Sequence, residues 1–267
     1  MGHVPIGDRI IVGERLALIA GPCVIEDESM VLKTAGRLRT ISSKLGLPFV
    51  FKSSYSKENR SSISSYSGPG IDEGLRILNR VKTEENVPVL SDVHCREEVK
   101  KAAEVLDVLQ VPAFLSRQTP LLLACARTGK PVNVKKGQFI APQDMALVVE
   151  KIESVGGKKI LLTERGTFFG YGNLVVDMRS IPIMKRFGYP VVFDVTHSLQ
   201  LPGGKEAGGS PSFALPLAKA AVACGADALF IETHPDPPNA LSDRTTMIPL
   251  DKMEEFLGDV LRVRNAL

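Results

Sequence analysis

The stretch Val87–Val111, VPVLSDVHCREEVKKAAEVLDVLQV, decides the fold. It opens on a short apolar, β-branched run, Val87–Val93, and closes on another, Val108–Val111. Between them, Glu97–Leu106 sets apolar residues at helical spacing among charges. A strand, a helix and a strand in that order make a βαβ unit with parallel strands. The pattern continues outward on both sides. Further strand-like runs stand at Leu16–Ala20, Pro48–Phe51, Val132–Val134, Lys159–Thr163, Val191–Val195 and Ala228–Ile231. Helical stretches separate them at Met30–Leu45, Asp72–Glu85, Thr119–Arg127, Gln143–Val155 and Ser212–Cys224, and a last one, Leu250–Arg262, follows Pro249. Gly46, Gly129, Gly156–Gly157 and Gly225 fall where helix C-termini want a left-handed residue. Successive strands are about 30 residues apart, the length of a βα unit. Eight such units in 267 residues predict a (β/α)8 TIM barrel, one domain over 1–267. An open doubly wound sheet is the runner-up, but no G-x-G-x-x-G follows the first strand. Ile10–Val12 and Leu16 flank Gly13, which suggests a short N-terminal hairpin over the barrel floor.

Composition removes other classes. Apolar residues make up 44% of the chain, too many for disorder. Lys and Arg total 33 against 30 Asp and Glu, and a net charge of +3 is too small to argue for nucleic acid. No apolar run is long enough to span a membrane, and the N-terminus does not read as a secretory signal. Cys23, Cys95, Cys125 and Cys224 are far apart, with no C-x-x-C pair, as expected of thiols in a reducing cytoplasm.

In a barrel of this kind chemistry sits at the C-terminal ends of the strands. Those ends carry, in order, Cys23; Lys52, Ser54, Lys57, Asn59 and Arg60; Asp92 and His94; Gln110 and Arg117; Asn133, Lys135, Lys136 and Gln138; Glu164 and Arg165; Asp194, His197 and Gln200; and Glu232, His234, Asp236 and Asp243. A bland rim carries Gly, Asn and Ser turns with scattered charges. Ionisable groups at nearly every strand end read as an active site. Seven cations (Lys52, Lys57, Arg60, Arg117, Lys135, Lys136 and Arg165) outnumber the acids there, so the expected ligands are small anions with more than one phosphate or carboxylate. Cys23, His197, Glu232 and Asp243 offer thiolate, imidazole and carboxylate donors suited to zinc or ferrous iron. No spacing motif supports that set, and His94 and His234 are competing ligands or hydrogen-bonded rim histidines. Leu201–Ser212, with four glycines, is expected to form a mobile lid.

Long segments of the chain resemble the 3-deoxy-D-manno-octulosonate 8-phosphate synthase family. They are AGPCVIE (Ala20–Glu26), FKSSYSKENRSS (Phe51–Ser62), SDVH (Ser91–His94), QVPAFLSRQT (Gln110–Thr119), NVKKGQF (Asn133–Phe139), TERGTFFGYGNLVVDMR (Thr163–Arg179), FDVTHSLQLPGG (Phe193–Gly204) and IETHPDPPNALSD (Ile231–Asp243). The resemblance implies condensation of phosphoenolpyruvate with arabinose 5-phosphate, for lipopolysaccharide synthesis in the cytoplasm, by a homotetramer of (β/α)8 barrels. Metal-dependent members have Cys after Gly-Pro where others have Asn, so Cys23 places the resemblance in the metal-dependent class, with Cys23, His197, Glu232 and Asp243 as ligands of zinc, iron or manganese. Phosphoenolpyruvate contacts map onto Lys52, Ser54, Arg117, Lys135 and Arg165, and sugar phosphate contacts onto Lys57, Asn59 and Arg60, with Gln200 also at the substrate. Lys52, Asp92, His94, Lys135, His197 and Asp243 fall at the reacting centre. Two departures stand out: Ala207-Gly208-Gly209-Ser210 replaces the family's Ser-Gly-Gly, and Cys95 follows His94 where an acid is common. A sister enzyme taking erythrose 4-phosphate resembles Lys-Pro-Arg-Thr-Ser after the second strand; this chain has Lys57-Glu58-Asn59-Arg60-Ser61-Ser62.

Overall fold

The computed structural model describes residues 2–7, 10–60, 62–169, 171–202 and 208–267. Eight parallel strands close into a barrel: β1 (Ala17–Gly21), β2 (Phe49–Lys52), β3 (Val89–Asp92), β4 (Val108–Val111), β5 (Val132–Lys135), β6 (Ile160–Glu164), β7 (Val191–Asp194) and β8 (Ala228–His234). Each strand pairs with the next, and β8 returns to β1 in the register Ala228–Ala17 to Glu232–Gly21. Closure leaves the barrel no open edge. After the strands come, in turn, α1 (Glu28–Lys44), α2 (Ile71–Glu84), α3 (Arg96–Val105), α4 (Thr119–Arg127), α5 (Met145–Glu153), α6 (Ser180–Lys185), α7 (Ala214–Ala223) and α8 (Met253–Arg264). Local chemistry sets their ends. At the start of α1, the Asp27 carboxylate accepts the Met30 N–H at 2.8 Å.

Side chains alternate across each strand and so divide the core in two. Leu18, Phe51, Val89, Leu109, Val134 and Leu162 face out and pack under the helices. Ala17, Ile19, Val50, Leu90, Val108, Leu161, Val192, Ala228 and Phe230 face in. That inner cluster is completed by Val4, Ile6, Ile10 and Val12. They come from the expected hairpin, in which Val4–Ile6 pairs antiparallel with Ile10–Val12. Both of its strands precede Gly13, so that glycine is not its turn.

The strands and the long helices fall within a few residues of their expected positions. Among the described features with no counterpart in the reading of the sequence, two are prominent. One is α6, six residues with Pro182 in its first turn, too short to show a period. The other is a hairpin pairing Thr167–Phe169 with Asn173–Val175. The lid expected over 201–212 lies in part on 203–207, outside the described residues, as does Ala207. Beside that stretch, Gln200–Leu201 pairs antiparallel with Gly208–Gly209. No helix among the described residues is long and apolar enough to cross a membrane.

Candidate active site

The inward alternation that fills the barrel floor with apolar residues reaches polar ones at the top. Lys52 of β2, Asp92 of β3, Lys135 of β5, Asp194 of β7 and Glu232 of β8 stand at the strand ends, Arg165 follows β6, and all but Asp92 are nearly fully buried. They surround a cleft of about 230 Å³ whose lining includes Cys23, Lys52, Ser54, Lys57, Asn59, Asp92, His94, Lys135, Arg165, His197, Gln200, Glu232 and Asp243. The volume suits small molecules, and the lining suits charged ones.

Each lysine of the floor is paired. The Lys52 amine donates to Glu232 Oε1 at 2.9 Å and to the Cys23 carbonyl at 2.8 Å, with Asp92 Oδ2 3.9 Å away. Burial alone would lower its pKa, but the Glu232 and Asp92 charges outweigh burial and raise it. Lys135 donates to Asp194 Oδ2 at 2.7 Å and lies 3.6 Å from the centre of the Phe230 ring. Burial pushes Asp194 upward, yet His197 and Lys135 hold it well below the usual carboxylate range. Asp92 is treated likewise: burial raises it, and Lys52, Lys135 and His94 bring it down to about 2. Arg165 loses some of its proton affinity to burial, and its Nη2 donates to Gln200 Oε1 at 2.8 Å.

Beside the lysines is a cluster of metal donors. The Cys23 thiol and carboxylate oxygens of Glu232 and Asp243 lie within 4.8 Å of one another. The loops that carry them meet closely. A Cβ on Gly21 would lie 2.0 Å from the Lys52 carbonyl oxygen, so glycine is required where β1 turns toward Cys23. Asp243 holds φ 47°, a left-handed conformation that Asp tolerates better than most residues. His197 stands at the cluster's edge: Nδ1 lies 2.9 Å from Asp194 Oδ2, and Nε2 3.7 Å from Glu232 Oε1. A carboxylate holding one ring nitrogen while the other faces a donor cluster is the usual support of a metal-binding histidine. Glu232 Oε2 is buried with no hydrogen-bond partner among the described residues. Burial, with the Asp243 and Glu232 charges, pushes the Cys23 thiol well above its ordinary pKa. A soft sulfur, an imidazole and two carboxylates, one with an unused oxygen, fit a divalent transition metal. The Lys57 amine also reaches this cluster, 2.6 Å from Asp243 Oδ2 and 3.5 Å from Cys23 Sγ.

The sequence model described as the DAHP synthetase I family matches residues 3–266. The chain belongs to this family. Its relatives include proteins named 2-dehydro-3-deoxyphosphooctonate aldolase. The one from Trichlorobacter lovleyi is 58% identical over 259 residues, 96% of this chain and 94% of the relative. That from Geobacter metallireducens is 56% identical over 258 residues, 96% and 95% of the two chains. That from Desulfotalea psychrophila is 52% identical over 269 residues, 98% and 95%.

Not every expected residue of this DAHP synthetase I family member faces the cleft. Arg60 is half-buried and its Nη1 donates to the Lys57 carbonyl at 3.1 Å, outside the lining. Arg117 is exposed, two residues beyond cleft-lining Leu115. Lys136 and Glu164, expected at the mouth, point the other way. Each follows or precedes an inward neighbour by one residue, and strand alternation turns it outward. Lys136 is fully buried, 3.0 Å from Thr167 Oγ1 and 3.7 Å from Glu164 Oε1. His234 is outside the cleft too; its Nδ1 accepts the Asp236 N–H at 3.0 Å and its Nε2 lies 3.6 Å from Glu26. Phe230 and Ser242 are among the residues of the site that went unnoticed in the sequence. Phe230 reads there as one more apolar strand residue. Ser242, 3.3 Å from Cys23 Sγ and bonded to Lys57, is marked only by its place beside Asp243.

Proposed function

We infer that the chain is a 2-dehydro-3-deoxyphosphooctonate aldolase. It condenses phosphoenolpyruvate with D-arabinose 5-phosphate and water, giving 3-deoxy-D-manno-octulosonate 8-phosphate and phosphate for lipopolysaccharide precursors. One observation carries the reading: in a chain this similar to proteins of that name, buried Lys52, Lys135 and Arg165 share a cleft with the Cys23–Glu232–Asp243 cluster.

Lys52, Lys135 and Arg165, with Ser54 beside them and Arg117 from the rim, hold the phosphate and carboxylate of phosphoenolpyruvate. Gln200 orients Arg165. Lys57, Asn59 and Arg60 take the sugar phosphate. Seating two anions together needs this excess of cations, and holding them in contact removes up to ~7–11 kcal/mol of encounter entropy from the barrier. The methylene carbon of phosphoenolpyruvate bonds to the aldehyde carbon, water adds to the enol carbon, and phosphate leaves with its bridging oxygen. One proton is consumed at the aldehyde oxygen and one is released from water, so the cleft needs a donor and an acceptor. His94 fits the donor. Burial lowers its pKa, but Glu98 and Asp92 more than offset this and raise it. Ionised Asp92 fits the acceptor. Cys23, His197, Glu232 and Asp243 would hold zinc, iron or manganese, which supplies Lewis-acid polarisation of a substrate oxygen when bound. His197 and Asp243 serve as proton carriers only secondarily. The chain acts as one domain, in the cytoplasm, as a homotetramer; exposed Phe114, Phe139, Phe168 and Phe169 offer apolar surface for a second copy.

The test is phosphate release by chelator-treated protein given phosphoenolpyruvate with arabinose 5-phosphate or erythrose 4-phosphate, with and without divalent metal. Turnover with arabinose 5-phosphate that needs added metal supports reaction and donor set together. Full turnover after verified metal removal keeps the reaction and discards the metal. Turnover with erythrose 4-phosphate alone discards the reading of the Lys57 loop.

A further inference from the structure

Beneath the cleft, polar side chains of four successive strands join in one buried row. Thr163 Oγ1 of β6 donates to Asn133 Oδ1 of β5 at 2.6 Å. Asn133 Nδ2 donates to Gln110 Oε1 of β4 at 2.8 Å. Gln110 Nε2 donates to Asp92 Oδ1 of β3 at 2.7 Å. From the other side, Ser54 Oγ donates to Asp92 Oδ2 at 2.5 Å. Asp92, Gln110 and Asn133 are register partners across three strands. Gln110, Asn133 and Thr163 are fully buried, and none of the three lines the cleft.

The direction of the row follows from its end. An ionised carboxylate only accepts, so Gln110 must turn its NH2 toward Asp92. Its oxygen then faces Asn133, which must offer its own NH2. The Asn133 oxygen in turn faces Thr163, whose hydroxyl must donate. Every donor in the row therefore points toward Asp92. Buried amides are costly unless bonded. One layer below, Val108 and Leu161 fill the same strands with apolar side chains that carry no such demand. The row thus has a use that packing does not supply.

We propose that Gln110, Asn133 and Thr163 are positioning residues, a one-directional relay that fixes the Asp92 carboxylate and keeps it a charged proton acceptor at the cleft floor. The acceptor role rests on the reaction inferred above. Other groups bias the same carboxylate: Lys52 of β2, Lys135 of β5 and His94 after β3. Glu232 is paired with Lys52, Asp194 with Lys135, and Glu98 lies by His94. The relay adds donors that these charges do not provide, at the oxygen facing away from Ser54.

Two near-isosteric changes at Gln110 separate positioning from packing. Gln110→Met removes the donor. Its expected result is a fall in kcat of about tenfold with little change in KM for phosphoenolpyruvate. The acid limb of the kcat/KM profile should move up by about one pH unit. Gln110→Glu restores the donor only while Glu carries a proton. Activity should be near wild type at low pH and fall along a new limb as pH rises and two carboxylates come to face each other. Should Gln110→Met fail to fold, Thr163→Val removes only the last donor and should shift the acid limb in the same direction by less. A Gln110→Glu variant with the wild-type pH profile overturns the relay. So does a Gln110→Met variant that loses stability alone. Wild-type protein without turnover overturns the reaction instead. The relay is then read from the pH at which the carboxyl infrared band that Asp92→Asn removes becomes protonated, expected about one unit higher in Gln110→Met than in the wild type. A band that titrates at the same pH in both overturns it.

Discussion

Asp243 combines a backbone that few side chains adopt with a carboxylate whose proton affinity its neighbours lower. Its φ of 47° costs about 1 kcal/mol or more, which the surrounding contacts must offset. Burial raises its pKa, while Lys57 and His197 pull it below the usual carboxylate range. Cys23 opposite is moved upward by the same burial. A divalent ion between them would relieve both, so Cys23→Ser is expected to lower bound metal at least tenfold, measured by elemental analysis of the purified protein. A second residue-scale prediction concerns Glu98, whose carboxylate lies 3.5 Å from His94 Nδ1 and accepts from the Tyr55 hydroxyl at 2.8 Å. Burial opposes ionisation of Glu98, but His94 and Tyr55 bring it down to about 2. Its stabilising contribution is therefore complete above pH ~4.5 and is lost as pH falls toward 2. His94 has a raised pKa, so its contribution is complete below ~6.5 and is lost as pH rises through the raised value. Glu98→Gln should destabilise most in the window between, and should move the His94 titration followed by NMR to lower pH. An unmoved His94 titration would show that Asp92 alone sets it. At this scale the strand-end residues were legible because barrel geometry names the positions that face inward. Lys136 and Glu164 misled because adjacent strand residues alternate, and a run such as Val132–Lys136 does not declare which lysine turns in.

Among the elements, the same device closes the barrel floor twice. The Asp107 N–H, just before β4, donates to the carbonyl of Val89, the first residue of β3, at 2.9 Å, and its carboxylate accepts the Val89 N–H at 3.0 Å. Lys82, in the last turn of α2, donates to that carboxylate at 2.8 Å. Before β8, Asp227 repeats the arrangement with Val191 of β7 and with Lys185 of α6, at 2.8, 2.9 and 2.8 Å. Each device ties two strand starts and a helix end. These groups lie at the barrel end opposite the cleft, where residues serve stability. Asp107→Ala and Asp227→Ala should each cost about 1–3 kcal/mol in urea unfolding, and the double variant about their sum, because the sites share no partner. Turnover should hardly change; a tenfold loss of kcat in either would place the device in the chemistry instead. These contacts join residues up to 42 positions apart, which local pattern does not display. The strands and long helices were legible from periodicity. A six-residue α6 and the Thr167–Val175 hairpin were not, because each is shorter than the window in which a period declares itself.

Across the whole molecule the barrel interior is a single column. Val4, Ile6, Ile10 and Val12 of the N-terminal hairpin plug its floor. Above them lie Ala17, Ile19, Leu90 and Val192, then Phe230, then the lysines and acids of the cleft. Phe230 belongs to both halves, packed in the apolar cluster and lying under Lys135 at 3.6 Å and Lys52 at 5.5 Å. Two substitutions should part the halves. Ile6→Ala leaves a cavity in the plug and should cost about 2–5 kcal/mol of unfolding free energy, with kcat/KM within threefold of wild type. Phe230→Leu keeps the site apolar but removes the ring face beneath Lys135. A desolvated cation–π contact is worth ~2 kcal/mol or more, so kcat/KM for phosphoenolpyruvate should fall about thirtyfold. Its cost in stability should stay below that of Ile6→Ala, because Phe→Leu removes less side-chain volume than Ile→Ala and leaves a smaller void. If Ile6→Ala lowered kcat/KM as far as Phe230→Leu, strain would be passing from the plug to the mouth through the column. The apolar layer would then belong to the catalytic framework rather than isolating the cleft from the floor.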